Sequence, residues 1–181
     1  MNNTDICKNN KIVLGISGGV DSTTAALLLL EKGFEVYGLY FSIKEDDGEK
    51  DAAERALYEA YKAYGKEDKA AEHFIYKNVH EVFNSIVIED FCKEYRNGRT
   101  PNPCIVCNPN IKFRMLIEAA DSVGAEYIST GHYADTASDE HGNVYIKKAA
   151  SRKDQSYMLY RLPQEVIKRI VFPLADFSEK D

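Results

Sequence analysis

The chain has 181 residues, enough for one domain with a real core, with 44% hydrophobic and 29% charged residues and a formal net charge of −6. That balance speaks against a broadly basic nucleic-acid binder, and no apolar run approaches the ~20 residues of a membrane span. Residues 1–10 are polar and lack the apolar segment of a signal peptide, so a cytoplasmic chain with no membrane partner is expected.

Residues 11–16 are apolar and β-branched and predict a buried strand. Ser17-Gly18-Gly19-Val20-Asp21-Ser22 follows, then residues 23–32, strong helix formers closed by Gly33. Residues 34–41 predict a second strand, completing a right-handed βαβ unit. Residues 42–51 are acidic and turn-like, and residues 52–64 carry Ala53, Leu57, Ala60, Tyr61 and Tyr64 at helical spacing. Those tyrosines read as core or core edge rather than a base-stacking platform. Residues 65–71 read as a loop or a frayed helical turn, residues 73–79 as a third strand and residues 80–96 as a helix, with Cys92 buried or half-buried on it.

Three prolines and a glycine between 97 and 109 predict a loop, with Asn108 capping a helix over 109–123 that ends at Gly124. Residues 125–130 predict a fourth strand, followed by Gly131-His132. The turn signal His141-Gly142-Asn143 predicts a hairpin or a short extra strand within 134–150. Residues 151–162 read as a helix, 163–171 as a short second one, and Pro173-Leu174 as the approach to a last strand or loop. With no repeat, low-complexity tract or linker, one domain over 1–181 is expected. Alternating strands and helices imply an open parallel sheet with helices on both faces, an α/β fold whose ligands bind beyond the carboxyl ends of the strands.

Charge is uneven. Residues 45–72 hold ten acids and five bases, residues 92–115 five bases and one acid, and residues 147–169 seven bases and two acids. Two basic stretches on an acidic body suit a local polyanion contact. The glycines at the strand-to-helix turn free backbone N–H groups for an anion, and phosphate is the natural guest. No Lys follows them, and no third Gly stands in dinucleotide-binding spacing, so two familiar phosphate loops are set aside. Of the four cysteines, Cys104 and Cys107 form a C-x-x-C, which in a reducing compartment points to metal, cluster or redox chemistry.

The S-G-G-V-D-S loop resembles the pyrophosphate loop of the ATP pyrophosphatase superfamily, which implies an adenine nucleotide alpha hydrolase-like (PP-loop) fold. Gly98-Arg99-Thr100-Pro101-Asn102-Pro103-Cys104-Ile105-Val106-Cys107-Asn108, Ile111-Lys112-Phe113, Thr130-Gly131-His132-Tyr133-Ala134, Lys153-Asp154-Gln155-Ser156-Tyr157 and Phe172-Pro173-Leu174 follow in order. With the loop, they resemble the tRNA-specific 2-thiouridylase family from about residue 11 to 177. The resemblance implies adenylation of the wobble uridine by ATP with Mg2+, then sulfur transfer to C2. It implies ATP contacts at Gly15, Ile16, Ser17, Gly18, Gly19, Val20, Asp21, Ser22, Phe41 and Gly131. It implies tRNA contacts at Asn102, Pro103, Cys104, His132, Lys153, Asp154 and Gln155. Cys107 takes the nucleophile position, with Cys104 and Asp21 beside it in catalysis, and the partners implied are tRNA and a persulfide carrier or cysteine desulfurase.

Cations near Cys107 in sequence, and a helix expected to start just after it, predict a lowered thiol pKa. Many family members carry Asp where this chain has Cys104, and C-x-x-C spacing also suits two ligands of an iron–sulfur cluster. Members are about twice this length and supply a second cysteine downstream, so an N-terminal fragment is expected over a natural minimal protein, with residues 178–181 opening a helix. A cluster-dependent thiolase, another adenylating enzyme of the superfamily and a non-catalytic nucleotide-binding module are the alternatives.

Overall fold

The computed structural model describes residues 9–45 and 48–177. Cys7 and the expected helix start at 178–181 lie outside them. Five parallel strands form the sheet in the order β3-β2-β1-β4-β7. They are β1 (Lys11–Gly15), β2 (Glu35–Ser42), β3 (Phe74–Asn78), β4 (Tyr127–Thr130) and β7 (Ile170–Val171). A separate antiparallel hairpin pairs β5 (Asp135–Ser138) with β6 (Val144–Lys147), as the turn signal predicts.

The strand period distributes β1 between two cores. Ile12 and Leu14 pack with Ala25, Ala26 and Leu29 of α1 (Val20–Glu31) and Ala53 and Leu57 of α2 (Lys50–Lys62). Val13 faces the other way, into a cluster with Phe113, Leu116 and Ala120 of α6 (Phe113–Val123). Helices therefore cover both faces of the sheet, and β1 is buried on both, which is why it reads as a continuous apolar run. In α2, Tyr61 is core: its hydroxyl donates to Val36 O (2.9 Å) and meets His73 Nδ1 at 2.6 Å. Tyr64 stays 40% exposed at the edge.

Three sequence expectations need correction. The stretch from Pro103 is helical, not loop: α5 (Pro103–Cys107) runs through a π turn (Asn108–Lys112) into α6. The cap is Asn102, whose Oδ1 accepts from Cys104 N at 3.2 Å with Pro103 at the first helical position. Asn108 is helical and buried instead, its amide donating to Met158 O at 3.1 Å. Pro109 would clash with the carbonyl of residue 105 in a regular α-turn and has no N–H to give it. The wider π turn accommodates the ring, and the Asn110 amide takes the Val106 carbonyl at 2.8 Å.

The second correction concerns residues 151–162, which hold only a 3₁₀ turn, Ser156–Met158. Asp154 Oδ1 accepts from Ala149 N (3.0 Å) and its Oδ2 from Ser156 Oγ (2.8 Å), so local side-chain bonds replace the helix. The expected helix over 163–171 divides into α7 (Gln164–Ile167) and β7, so the last strand comes earlier than Pro173. The third is Cys92. It lies on α4 (Glu89–Arg96), continuous with α3 (His80–Phe83) through a second π turn, and it is exposed.

Candidate active site

The strand order reverses between β1 and β4, and Gly15 is the register partner of Thr130. The loop after β1 and Gly131 after β4 therefore emerge side by side, at the switch point where open α/β sheets bind ligands. They line a cleft of about 380 Å³. Gly15, Ile16, Thr130 and Gly131 lie along its strand ends, Tyr40, Phe41 and Ile43 along the β2 side, and Lys112, His132 and Gln155 opposite. Lys44 and Glu49 pair at its edge at 2.6 Å.

The loop at 17–22 is built to expose N–H groups. Helix α1 begins at Val20 with Gly19 extended before it and no side-chain cap. The amides of its first turn are thus left for an anion. Ser22 Oγ folds back, accepting from Ser17 N (3.2 Å) and donating to Gly19 O (3.0 Å), which fixes the loop's shape. Gly18 has φ +77°, and a Cβ there would lie 2.8 Å from Ala52 C at the start of α2. Gly131 meets the loop just as closely: a Cβ would sit 3.0 Å from Ser22 N and 3.1 Å from Asp21 C. Glycine at both positions lets α1's first turn wedge between α2 and the end of β4.

Asp21 turns toward the cleft, and its Oδ1 accepts from the Tyr133 hydroxyl at 2.8 Å. That bond pushes the Tyr133 pKa up. Gln155 holds Tyr133 by its main chain: Tyr133 N donates to Gln155 Oε1 (3.0 Å), and Gln155 N donates to Tyr133 O (2.7 Å). Lys153 Nζ stands 5.6 Å from the centre of the Tyr133 ring, within cation–π range. The Lys153-Asp154-Gln155 segment is thereby tied to the loop through Tyr133.

His132 is buried. Its ring stacks on Phe113 at 6.2 Å, its Nδ1 meets Thr130 Oγ1 at 2.8 Å, and Lys112 Nζ lies 3.5 Å from its Nε2. Burial first, and then the Lys112 ammonium, push its pKa down to about 3, so it is neutral. An ammonium can only donate, so Nε2 accepts and Nδ1–H donates to Thr130.

Cys107 is half-buried beside the cluster of Val79, Val87 and Ile111. Its thiol pKa is raised, against the sequence expectation. It ends α5 inside a helical run that began at Asn102, so no helix N-terminus stabilises a thiolate. Burial dominates, while the Lys112 ammonium and the Lys112 main-chain N–H pull the other way. Cys104, Asn102 and Pro103 are exposed on the outer side of that run.

Residues 10–181 match the family described as tRNA methyl transferase HUP domain. The chain belongs to this family. Among curated relatives of the HUP domain chain, tRNA-specific 2-thiouridylase MnmA 1 of Caldanaerobacter subterraneus is 42% identical over 182 residues, covering 96% of this chain and 49% of its own. The enzyme named MnmA in Dehalococcoides mccartyi is 41% identical over 175 residues (94% and 47%). MnmA 3 of Bacteroides fragilis is 39% identical over 171 residues (94% and 44%). The chain thus spans about half the length of these relatives.

Of the residues singled out in sequence, the HUP domain brings Gly15, Ile16, Ser17, Asp21, Ser22, Phe41, Gly131, His132 and Gln155 into one cleft. Gly18 and Gly19 shape the loop behind it, and the Val20 side chain is 80% exposed. Asn102, Pro103, Cys104, Cys107, Lys153 and Asp154 are not among the cleft's lining residues. Sequence reasoning gave no site role to Tyr133 and treated Lys112 only as a neighbouring charge. Adjacency of Tyr133 to Gly131-His132 at a strand end was the available signal for the first; the π turn that aims Lys112 has none.

Asp21 fits magnesium, which takes one or two carboxylates together with substrate phosphates. An iron–sulfur cluster fits poorly. It is held by four ligands, and among the described residues no group of three or more His, Cys, Asp or Glu is placed to hold a metal. Cys104 and Cys107 are two thiols of one short helix and are free.

Proposed function

We infer that this chain carries the ATP-binding, adenylating centre of a tRNA 2-thiouridylase. One observation carries the reading: the uncapped start of α1 opens at the β1/β4 switch point into the same cleft as Asp21, Gly131 and Lys112. The names of the relatives supply the acceptor.

In this reading the amides at 17–22 receive the β- and γ-phosphates, and the adenosine lies between Phe41 and Gly131. Magnesium held by Asp21 and phosphate oxygens would offset the charge on the departing pyrophosphate. Uridine O2 attacks the α-phosphorus, the α–β anhydride breaks, and AMP stays on O2 as a leaving group. A persulfide on Cys107, loaded by a persulfide carrier or cysteine desulfurase, then attacks C2, and the C2–O bond breaks with AMP leaving. A second thiol attacks Cys107 Sγ, freeing the C2 sulfur and leaving a disulfide; Cys104 is the candidate nearest in sequence. The tRNA backbone meets the basic segments around Arg99 and Lys153, and His132 borders the pocket that receives the base.

ATP with magnesium is expected to raise the melting temperature by mass action. Asp21→Ala should weaken apparent ATP affinity at least about tenfold, the lower end for losing a group that orients a metal. Millimolar ATP without any shift in the folded wild-type chain contradicts this function.

A further inference from the structure

We propose that Lys112 is the cation shared by the two halves of this site, its ammonium facing the phosphates of a nucleotide in the cleft and favouring the thiolate of Cys107. The proposal rests on the adenylating reading above and adds the residue that couples its two steps. Lys112 closes the π turn that Cys107 precedes, so the two positions lie one widened turn apart on the helical run, and the Lys112 charge and main-chain N–H both act on the Cys107 thiol. The same side chain lines the cleft together with Asp21 and Gly131.

Its surroundings point to a missing anion. Arg99, Arg114, Lys77, Lys147 and Arg169 each pair with a carboxylate. Lys112, itself only partly exposed, has no carboxylate within salt-bridge distance among the described residues; its hydrogen-bond partner is the neutral ring of His132. Burial pulls the Lys112 pKa down, and the thiols of Cys107 and Cys104 are the charges that act against it; the charges acting on Cys107 are Lys112 and Cys104. His132 feels Lys112 alone. A half-buried ammonium is costly without a counter-charge, and the two anions that can meet it are a phosphate entering from the cleft and the Cys107 thiolate.

The test uses wild type, Lys112→Gln and Lys112→Arg, with ATP and adenosine binding measured alongside peptide-mapped alkylation of Cys107. Exposed Cys92 is the internal reference thiol. Lys112→Gln should slow Cys107 alkylation at neutral pH about tenfold relative to Cys92, equivalent to one pKa unit. It should weaken ATP, but not adenosine, by about tenfold, and Lys112→Arg should retain most of both. An unchanged Cys107/Cys92 ratio, or equal losses for ATP and adenosine, overturns the proposal. Should Lys112→Gln fail to fold, wild type decides: at matched occupancy ATP should alter Cys107 alkylation more than adenosine, and equal effects overturn it. Wild type that binds no ATP sinks the adenylating reading before any variant is compared, while the alkylation ratio still reports on Lys112 and Cys107.

Discussion

Gly18→Ala should cost about 2–5 kcal/mol of stability, combining ~1–2 for a left-handed non-glycine residue with ~1–3 for overpacking. The new Cβ would fall 2.8 Å from Ala52 C and 2.9 Å from Ala52 O, backbone atoms that cannot swing aside. Two controls separate the causes. Gly33 also has positive φ (+85°) but open space around it, so Gly33→Ala should cost only the backbone share, about 1–2 kcal/mol. Gly19 has φ −77° and its nearest contact is Ser17 Oγ at 3.5 Å, so Gly19→Ala should be within about 1 kcal/mol of wild type. Urea unfolding of the three variants checks the order; Gly18→Ala no worse than Gly33→Ala would show that the contact between the 17–22 loop and α2 is slack.

Acidification should destabilise the fold through His132. Its native pKa, pushed to about 3 by burial and by Lys112, lies below the 6.5 of a free imidazole. The unfolded chain therefore binds the proton first, so this contribution is complete above pH 6.5 and is lost progressively as pH falls toward 3. Between pH 6.5 and 5 the loss should be about 2 kcal/mol, at ~1.4 kcal/mol per pH unit. His73, whose pKa burial also lowers, acts with the same sign. The readout is a slope: His132→Asn should have lower stability at neutral pH yet a shallower decline from 6.5 to 5. Equal slopes would mean that His132 takes up its proton in the native state without penalty.

The parts legible in sequence were those where one local rule suffices. The β-branched run at 11–16, the paired glycines after it and the helix formers beyond them gave strand, loop and helix within a few residues. Prolines misled at 101–109, because a proline at a first helical position and another inside a π turn are both compatible with a helix. Asp154 misled at 151–162 by bonding its own neighbours. The Cys107 thiol was misjudged because cations near in sequence were counted while burial was not. The Lys112 position depends on tertiary packing against His132, which no spacing encodes.

In the proposed function, adenylation of tRNA takes place in the cleft between β1 and β4. The most direct measurement follows ATP labelled on the α-phosphorus through incubation of the chain with bulk tRNA, magnesium and no sulfur donor. The account predicts pyrophosphate release that depends on tRNA, with label appearing on the RNA, and loss of both in Asp21→Ala. Orthophosphate in place of pyrophosphate, or turnover indifferent to tRNA, would contradict it.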